Sequence, residues 1–275
     1  MTKLPRIAFI GAGNMASSLV GGLLRHGASP TDIVAADPDA AQRARLQERG
    51  IATVADNAAA VRGSRVVVLA VKPQVMEDIV RQLSLDEGQL LISIAAGVSL
   101  ASIARWGAND VAVVRCMPNT PALHGAGITA LCANARVTAE DRALATSVLS
   151  AAGVTLWLER EADLDAVTAI SGSGPAYFFY LMEAMIDAGL KLGLGEDVAR
   201  RLTFETARGS ALMAAESADP PAELRRRVTS KGGTTERALT VLDAAKTKTT
   251  IERAVLAAAE RSRELASELD RGASR

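Results

Sequence analysis

Near the N-terminus the apolar run Ile7-Ala8-Phe9-Ile10 passes without a break into Gly11-Ala12-Gly13-Asn14-Met15-Ala16. No other stretch restricts the fold as strongly. Each position of this GxGxxA has a physical task between a strand and a helix. Gly11 permits a tight turn, Gly13 lets backbone approach a pyrophosphate, and the small Ala16 lets helix and strand pack closely. The helix that follows leaves its first N–H groups without intrahelical partners, and these can bind phosphate charge. Glycine turns are common, so the motif takes its weight from its place in a βαβ rhythm. Gly11, Ala12, Gly13, Asn14 and Met15 are therefore candidate cofactor-binding residues.

The rhythm continues downstream. Arg6–Ile10, Ile33–Ala36, Arg65–Ala70, Leu90–Ala95 and Val111–Cys116 are compact, nearly unbroken apolar runs, as strands buried on both faces of a parallel sheet require. Helical stretches such as Ala40–Arg49 and Val75–Leu83 lie between them. Strand and helix in alternation predict a doubly wound α/β domain of Rossmann type. Ile128–Cys132 and Thr155–Leu158 read as two further strands around a helix near Ala139–Ala151. After Glu161 the texture changes to apolar residues at helical spacing, over Tyr177–Leu192, Glu196–Ala215 and Ile251–Leu269. The expected organisation is a dinucleotide-binding domain over residues 1–162 and an all-helical domain over 163–275. The wide apolar face of Tyr177–Leu192 reads either as that domain's core or as a face shared with another subunit.

Composition narrows the function. Hydrophobic residues make up 49% of the chain, and Lys+Arg and Asp+Glu both count 31. A sizeable core is available, and nothing electrostatic favours nucleic acid or an anionic membrane as partner. No apolar stretch reaches the roughly 18–20 residues of a membrane span. Cys116, Cys132, His26 and His124 are the only Cys and His residues, and they lie at no ligand spacing, so no metal site is expected. Two unpaired cysteines and the lack of a signal-peptide pattern fit the cytoplasm.

Asp37 ends the second apolar run. An acid there accepts hydrogen bonds from the adenosine ribose hydroxyls and favours NAD over NADP, whose 2′-phosphate would meet like charge. Arg43 and Arg45 lie just downstream, within reach of such a phosphate, which leaves NADH and NADPH both open. The alternative reading makes Asp37 the cap of the next helix, with Pro38 at its first position.

Five further segments follow in order: Ala70-Val71-Lys72-Pro73-Gln74, Ser93-Ile94-Ala95-Ala96-Gly97-Val98, Arg115-Cys116-Met117-Pro118-Asn119-Thr120-Pro121, Ser171-Gly172-Ser173-Gly174-Pro175-Ala176-Tyr177 and Val228-Thr229-Ser230-Lys231-Gly232-Gly233-Thr234-Thr235. Behind a GxGxxA and at these spacings, they resemble the pyrroline-5-carboxylate reductases over nearly the whole chain. The resemblance implies reduction of Δ1-pyrroline-5-carboxylate to L-proline by NADPH or NADH, NADPH being the coenzyme the family suggests and NADH the one Asp37 favours. It implies that Asn57 and Ala70, Val71, Lys72 and Pro73 contact the cofactor, and that Ala95, Ala96 and Gly97 border the nicotinamide. It also implies that Ser230, Gly233, Thr234 and Thr235 hold the substrate carboxylate, with Thr235 near the ring nitrogen as the catalytic candidate. The helical domain would then serve dimerisation, with dimers assembling further, up to a decamer. Many relatives carry proline where this chain has Lys231.

These segments also make sense without the resemblance. In an open α/β sheet ligands bind outside the carboxyl ends of the strands, where the first three segments fall. A run of backbone N–H groups and hydroxyls such as Ser230–Thr235 can surround a carboxylate without a buried cation; it also suits a plain helix start capped by Thr234 or Thr235. Ser171–Pro175 reads as a phosphate-type loop or as a helix start with Pro175 at the first position, and the favoured reading is dual: it begins the helix and sits against the cofactor–substrate cleft. The chief alternative function is another two-domain NAD(P)-dependent reductase, of the β-hydroxyacid dehydrogenase type. Those use a helix lysine with an asparagine four residues on, whereas Lys191 is followed at that spacing by Gly195.

Overall fold

The computed structural model describes residues 4–108 and 110–272, with side chains as far as residue 269. Among these, eight strands form one sheet: β1 Ile7–Ile10, β2 Ile33–Ala36, β3 Ala52–Val54, β4 Val66–Leu69, β5 Leu90–Ser93, β6 Ala112–Met117, β7 Gly127–Ala133 and β8 Gly153–Trp157. They lie in the order β3-β2-β1-β4-β5-β6-β7-β8. Helices α1 (Asn14–Arg25), α2 (Ala40–Gln47), α3 (Asn57–Val61), α4 (Pro73–Gln82), α5 (Leu100–Ile103), α6 (Ala139–Leu149) and α7 (Asp163–Val167) link or flank the strands. The doubly wound reading holds. The chain leaves β1 toward β2 on one side and returns to β4 on the other, which creates a topological switch point between β1 and β4.

Strand alternation builds two cores. Ile7 and Phe9 face one side with Ile33, Ala35, Val66, Val68, Leu90 and Ile92. Ala8 and Ile10 face the other with Val34, Ala36, Val67, Leu69 and Leu91. All these side chains are buried, each large one contributing about 1.5–3 kcal/mol of transfer free energy. Two features were not in the apolar pattern. β3 is a three-residue edge strand whose first residue, Ala52, is exposed, too short to show periodicity. β7 runs antiparallel to β6, while β8 is parallel to β7. The link from Met117 to Gly127 is shorter than the dozen or so residues a parallel crossover needs, so the strand has to reverse.

Helix α6 is tied across the sheet's flank. Its N-cap Thr138 and Asp141 form a capping box, and Arg65 donates to Asp141 at 2.6 Å. Burial by itself raises the Asp141 pKa, but the hydrogen bonds from Arg65 and Thr138 outweigh it and hold the carboxyl below the ordinary aspartate range. A lowered folded-state pKa stabilises the fold above the unfolded carboxyl's pKa, and this contribution is lost as pH falls through the folded value. Asp141→Asn should therefore cost about 1–3 kcal/mol at neutral pH. Urea midpoints measured from pH 7 down to pH 2 should show the gap between parent and variant closing below about pH 4.

The compact units divide differently from the sequence boundary at 162/163. One unit joins the chain up to Ser173 with the residues from Ala258 on; the other is Gly174–Ala257. Helix α7 stays with the sheet because Leu164 and Val167 pack on Ala130 and Cys132. The second unit is helical: α8 (Gly174–Lys191), α9 (Glu196–Glu216), α10 (Pro221–Arg227), α11 (Thr234–Ala244) and the first part of α12 (Thr247–Gly272). In α8 only Gly174 and Gly189 are buried. Phe178, Leu181 and Met185, which share one stripe of the helix, are exposed by 63%, 56% and 43%, so within one chain this stripe is not core. An apolar patch of that kind marks an interaction surface.

Candidate active site

The glycine turn stands at the switch point. Gly11 has φ +97, and its N–H donates to the Ala36 carbonyl at 2.7 Å. A Cβ on Gly11 would lie 2.6 Å from the Ala70 oxygen, so the ends of β1 and β4 touch there. Gly13 is the N-cap of α1, and no side chain caps that helix. Nothing lies within 4 Å of a Cβ built on Gly13. An uncapped helix start beside open space fits a pyrophosphate, which would take the free N–H groups of the first turn.

The structure overturns the capping reading of Asp37. Asp39 caps α2 by accepting from the Ala41 N–H, and the first helical residue is Ala40 rather than Pro38. Asp37 instead accepts from Ala12 N–H at 2.8 Å and from Asp39 N–H at 2.9 Å. It thereby ties the end of β2 to the middle of the glycine turn. Asn57 opens α3 at the same edge of the sheet, behind the N-cap Asp56. Lys72 is exposed and is the N-cap of α4, with Pro73 at the first position.

Ala95, Ala96 and Gly97 leave the end of β5. Gly97 has φ +77, and a Cβ on it would meet Leu269 Cδ1 at 3.1 Å. Its lack of a side chain thus serves the turn and the packing of α12. A cleft of about 490 Å³ opens here, lined by Pro73, Gln74, Ala96 and Gly97 from the strand ends and by Thr168, Ser173, Ser262, Leu265 and Leu269. Ser262 anchors α12 by donating to Asp165 at 2.7 Å. The sequence reading placed this helix wholly in the helical domain and missed its role as a wall; an amphipathic stripe does not say which neighbour it covers.

Other motif residues hold the frame. Asn119 donates to the Ser171 carbonyl at 3.1 Å and accepts from Ile128 N–H at 3.0 Å. Glu161 accepts from Arg115 at 2.7 Å and from Leu100 N–H at 2.8 Å. Thr168–Gly172 forms a π-helical turn leading into α8, so the Ser171–Pro175 segment is a helix start and not a phosphate loop. Cys116 is buried, its thiol pushed far up by that burial and donating to the Ser93 carbonyl; it is no nucleophile.

In the second unit, Ser230–Gly233 makes a tight turn before α11. Gly232 has φ +73, and Gly233 N–H donates to Ser230 O at 3.0 Å. The N-cap is Gly233 and no side chain caps the helix, so neither Thr234 nor Thr235 acts as cap. Gly232 N–H donates to Glu236 at 2.7 Å. What is left for an anion is the uncapped first turn with the Ser230, Thr234 and Thr235 hydroxyls. Lys231 is exposed beside them.

Comparison with known proteins agrees with both halves. A family model described as NADP oxidoreductase, coenzyme F420-dependent, matches residues 6–97. One described as pyrroline-5-carboxylate reductase dimerisation matches residues 161–265. The pyrroline-5-carboxylate reductase of Pseudomonas aeruginosa is 54% identical over 96% of this chain and 98% of its own. The solved structure of the Coxiella burnetii reductase superposes with a TM-score of 0.91 at 38% identity, covering 96% of this chain and 99% of that one. The Plasmodium falciparum reductase, solved with NADP bound, gives 0.86 at 29% identity over 95% and 98% of the two chains. With its glycine turn, its helical second half and its whole length matched in this way, the chain belongs to the pyrroline-5-carboxylate reductase family.

Proposed function

We propose that this chain reduces Δ1-pyrroline-5-carboxylate to L-proline with NADH or NADPH, the closing step of proline synthesis. The observation that carries the reading is 54% identity to a named reductase over 96% of the chain, spanning the glycine turn and the Ser230–Thr235 turn alike. When bound, the reduced dinucleotide supplies a hydride to the imine carbon of the protonated ring, and the protein supplies proximity and orientation. Residues Gly11–Met15 hold the pyrophosphate. Asp37 and Asn57 serve the adenosine side, Ala70–Pro73 line the path between, and Ala95–Gly97 border the nicotinamide. Ser230, Gly233, Thr234 and Thr235 hold the substrate carboxylate through hydroxyls and the uncapped helix start. An iminium nitrogen needs no strong protein acid, so Thr235 orients the ring.

Thr235→Ala is expected to lower kcat about tenfold to a hundredfold while coenzyme affinity, read by nucleotide fluorescence, stays within about twofold. Unchanged turnover would remove Thr235 from the site. Assays with 2-hydroxy acids test the rival reading: their oxidation, with the cyclic imine left untouched, would point to the β-hydroxyacid dehydrogenase type.

The exposed apolar face of α8 supports pairing of two chains through the helical unit, and the reading extends to dimers that build a decamer. Light scattering reports the assembly directly. Among the described residues no helix is long and apolar enough to cross a membrane. Two buried free thiols suit a cytoplasmic enzyme.

A further inference from the structure

We infer that Asp37 makes this chain discriminate against a 2′-phosphate, so that it binds NADH in preference to NADPH. The inference rests on the dinucleotide reading of the glycine turn and deepens it. Asp37 is half-buried at the end of β2, with both carboxylate oxygens held by backbone. Oδ2 accepts from Ala12 N–H at 2.8 Å and Oδ1 from Asp39 N–H at 2.9 Å. The carboxylate is thus fixed beside the turn that receives the pyrophosphate and cannot swing away from an adenosine ribose. An ionised carboxylate has about four acceptor positions and no donor. The two backbone amides use two of them, leaving about two for the ribose 2′- and 3′-hydroxyls. A 2′-phosphate replaces one donor by an acceptor-only anion, facing a fixed like charge.

The nearby cation does not offset this. Arg43 Nη1 donates to the Asp37 carbonyl at 2.7 Å and to the Pro38 carbonyl at 3.0 Å, which uses both of its hydrogens. The guanidinium is folded back on the chain that carries Asp37, and presenting its Nη1–Nη2 fork to a phosphate would break both bonds. Arg45 is exposed, its Nη1 donating to Gln42 at 3.4 Å.

Titration of the full-length protein with NADH and NADPH, followed by nucleotide fluorescence, and with ADP and 2′,5′-ADP by calorimetry, tests the inference. In each pair the 2′-phosphorylated member should bind at least about tenfold more weakly. Asp37→Asn, which keeps the shape and one acceptor, should narrow that ratio at least about fivefold, chiefly by tightening NADPH. Arg43→Ala should leave the ratio within about threefold. Equal or tighter NADPH binding by the parent overturns the inference, as does an at least tenfold loss of NADPH affinity in Arg43→Ala, which would make that arginine a phosphate reader. If neither dinucleotide binds while the protein is folded by circular dichroism, the dinucleotide reading itself fails and takes this inference with it.

Discussion

Gly13→Ala is expected to keep the stability of the parent and lose the coenzyme, whereas Gly11→Ala loses both. The two glycines stand in one motif, but different forces hold them. At Gly13 the backbone is extended, with φ −69 and ψ −172, which alanine adopts without strain. A Cβ there has nothing within 4 Å, so the fold should change by no more than about 1 kcal/mol. The same Cβ occupies the space a pyrophosphate needs, and affinity should fall about 10- to 100-fold. At Gly11 the φ of +97 is strained for any L side chain, and the Cβ would sit 2.6 Å from the Ala70 oxygen and 2.9 Å from its carbon. Both are backbone atoms of the residue that directly follows β4, so relief means moving the end of a central strand. The loss should reach about 3 kcal/mol or more. Urea denaturation and a coenzyme titration on each variant separate the cases. Parent-like coenzyme affinity in Gly13→Ala would show that no phosphate approaches there.

Gly153→Ala should be the most damaging single methyl in the α/β unit, at about 4 kcal/mol or more. Gly153 opens β8 with φ +141, and its Cβ would lie 1.9 Å from the Gly127 oxygen and 2.6 Å from the Gly127 carbon and nitrogen. Gly153 pairs with Gly127 in register, so the methyl would hold β8 off β7. Gly63→Ala is the control. Its φ of +70 carries a backbone cost with no neighbour within 4 Å, and about 1 kcal/mol is expected. Soluble yield and urea midpoints should rank Gly153→Ala far below Gly63→Ala; equal midpoints would mean that β8 can shift outward freely.

Legibility followed the range of the forces. The strands were readable because burial on both faces demands unbroken apolar runs, as in Val66–Leu69 and Leu90–Ser93. Helices α8, α9 and α12 were readable from their spacing, whereas α10, seven residues long with no buried side chain, was not. β3 escaped because three residues at a sheet edge carry no period. For Asp37, two short-range roles competed in the sequence. The decisive partner was the Ala12 amide, 25 residues away, and no local pattern encodes it. The cap of α2 fell to Asp39, two residues from the expected one, because α2 starts at Ala40. The Ser171–Pro175 segment was readable as a helix start, although glycine and serine suit a phosphate loop equally; the chain enters α8 there through the turn Thr168–Gly172.

Taken alone, the sequence determined what nearest neighbours dictate: the strand–turn–helix at Gly11–Ala16, the alternating α/β half, the helical second half and the family to which they belong. Tertiary structure decided what depends on residues far apart in the chain. It set the reversal of β7, the tie from Asp37 to Ala12, the docking of Leu269 on Gly97 and the exposure of the α8 face. Periodicity and turn chemistry are written in consecutive residues, whereas a partner brought from 25 to more than 150 positions away is selected only when the whole sheet and its helices close around it.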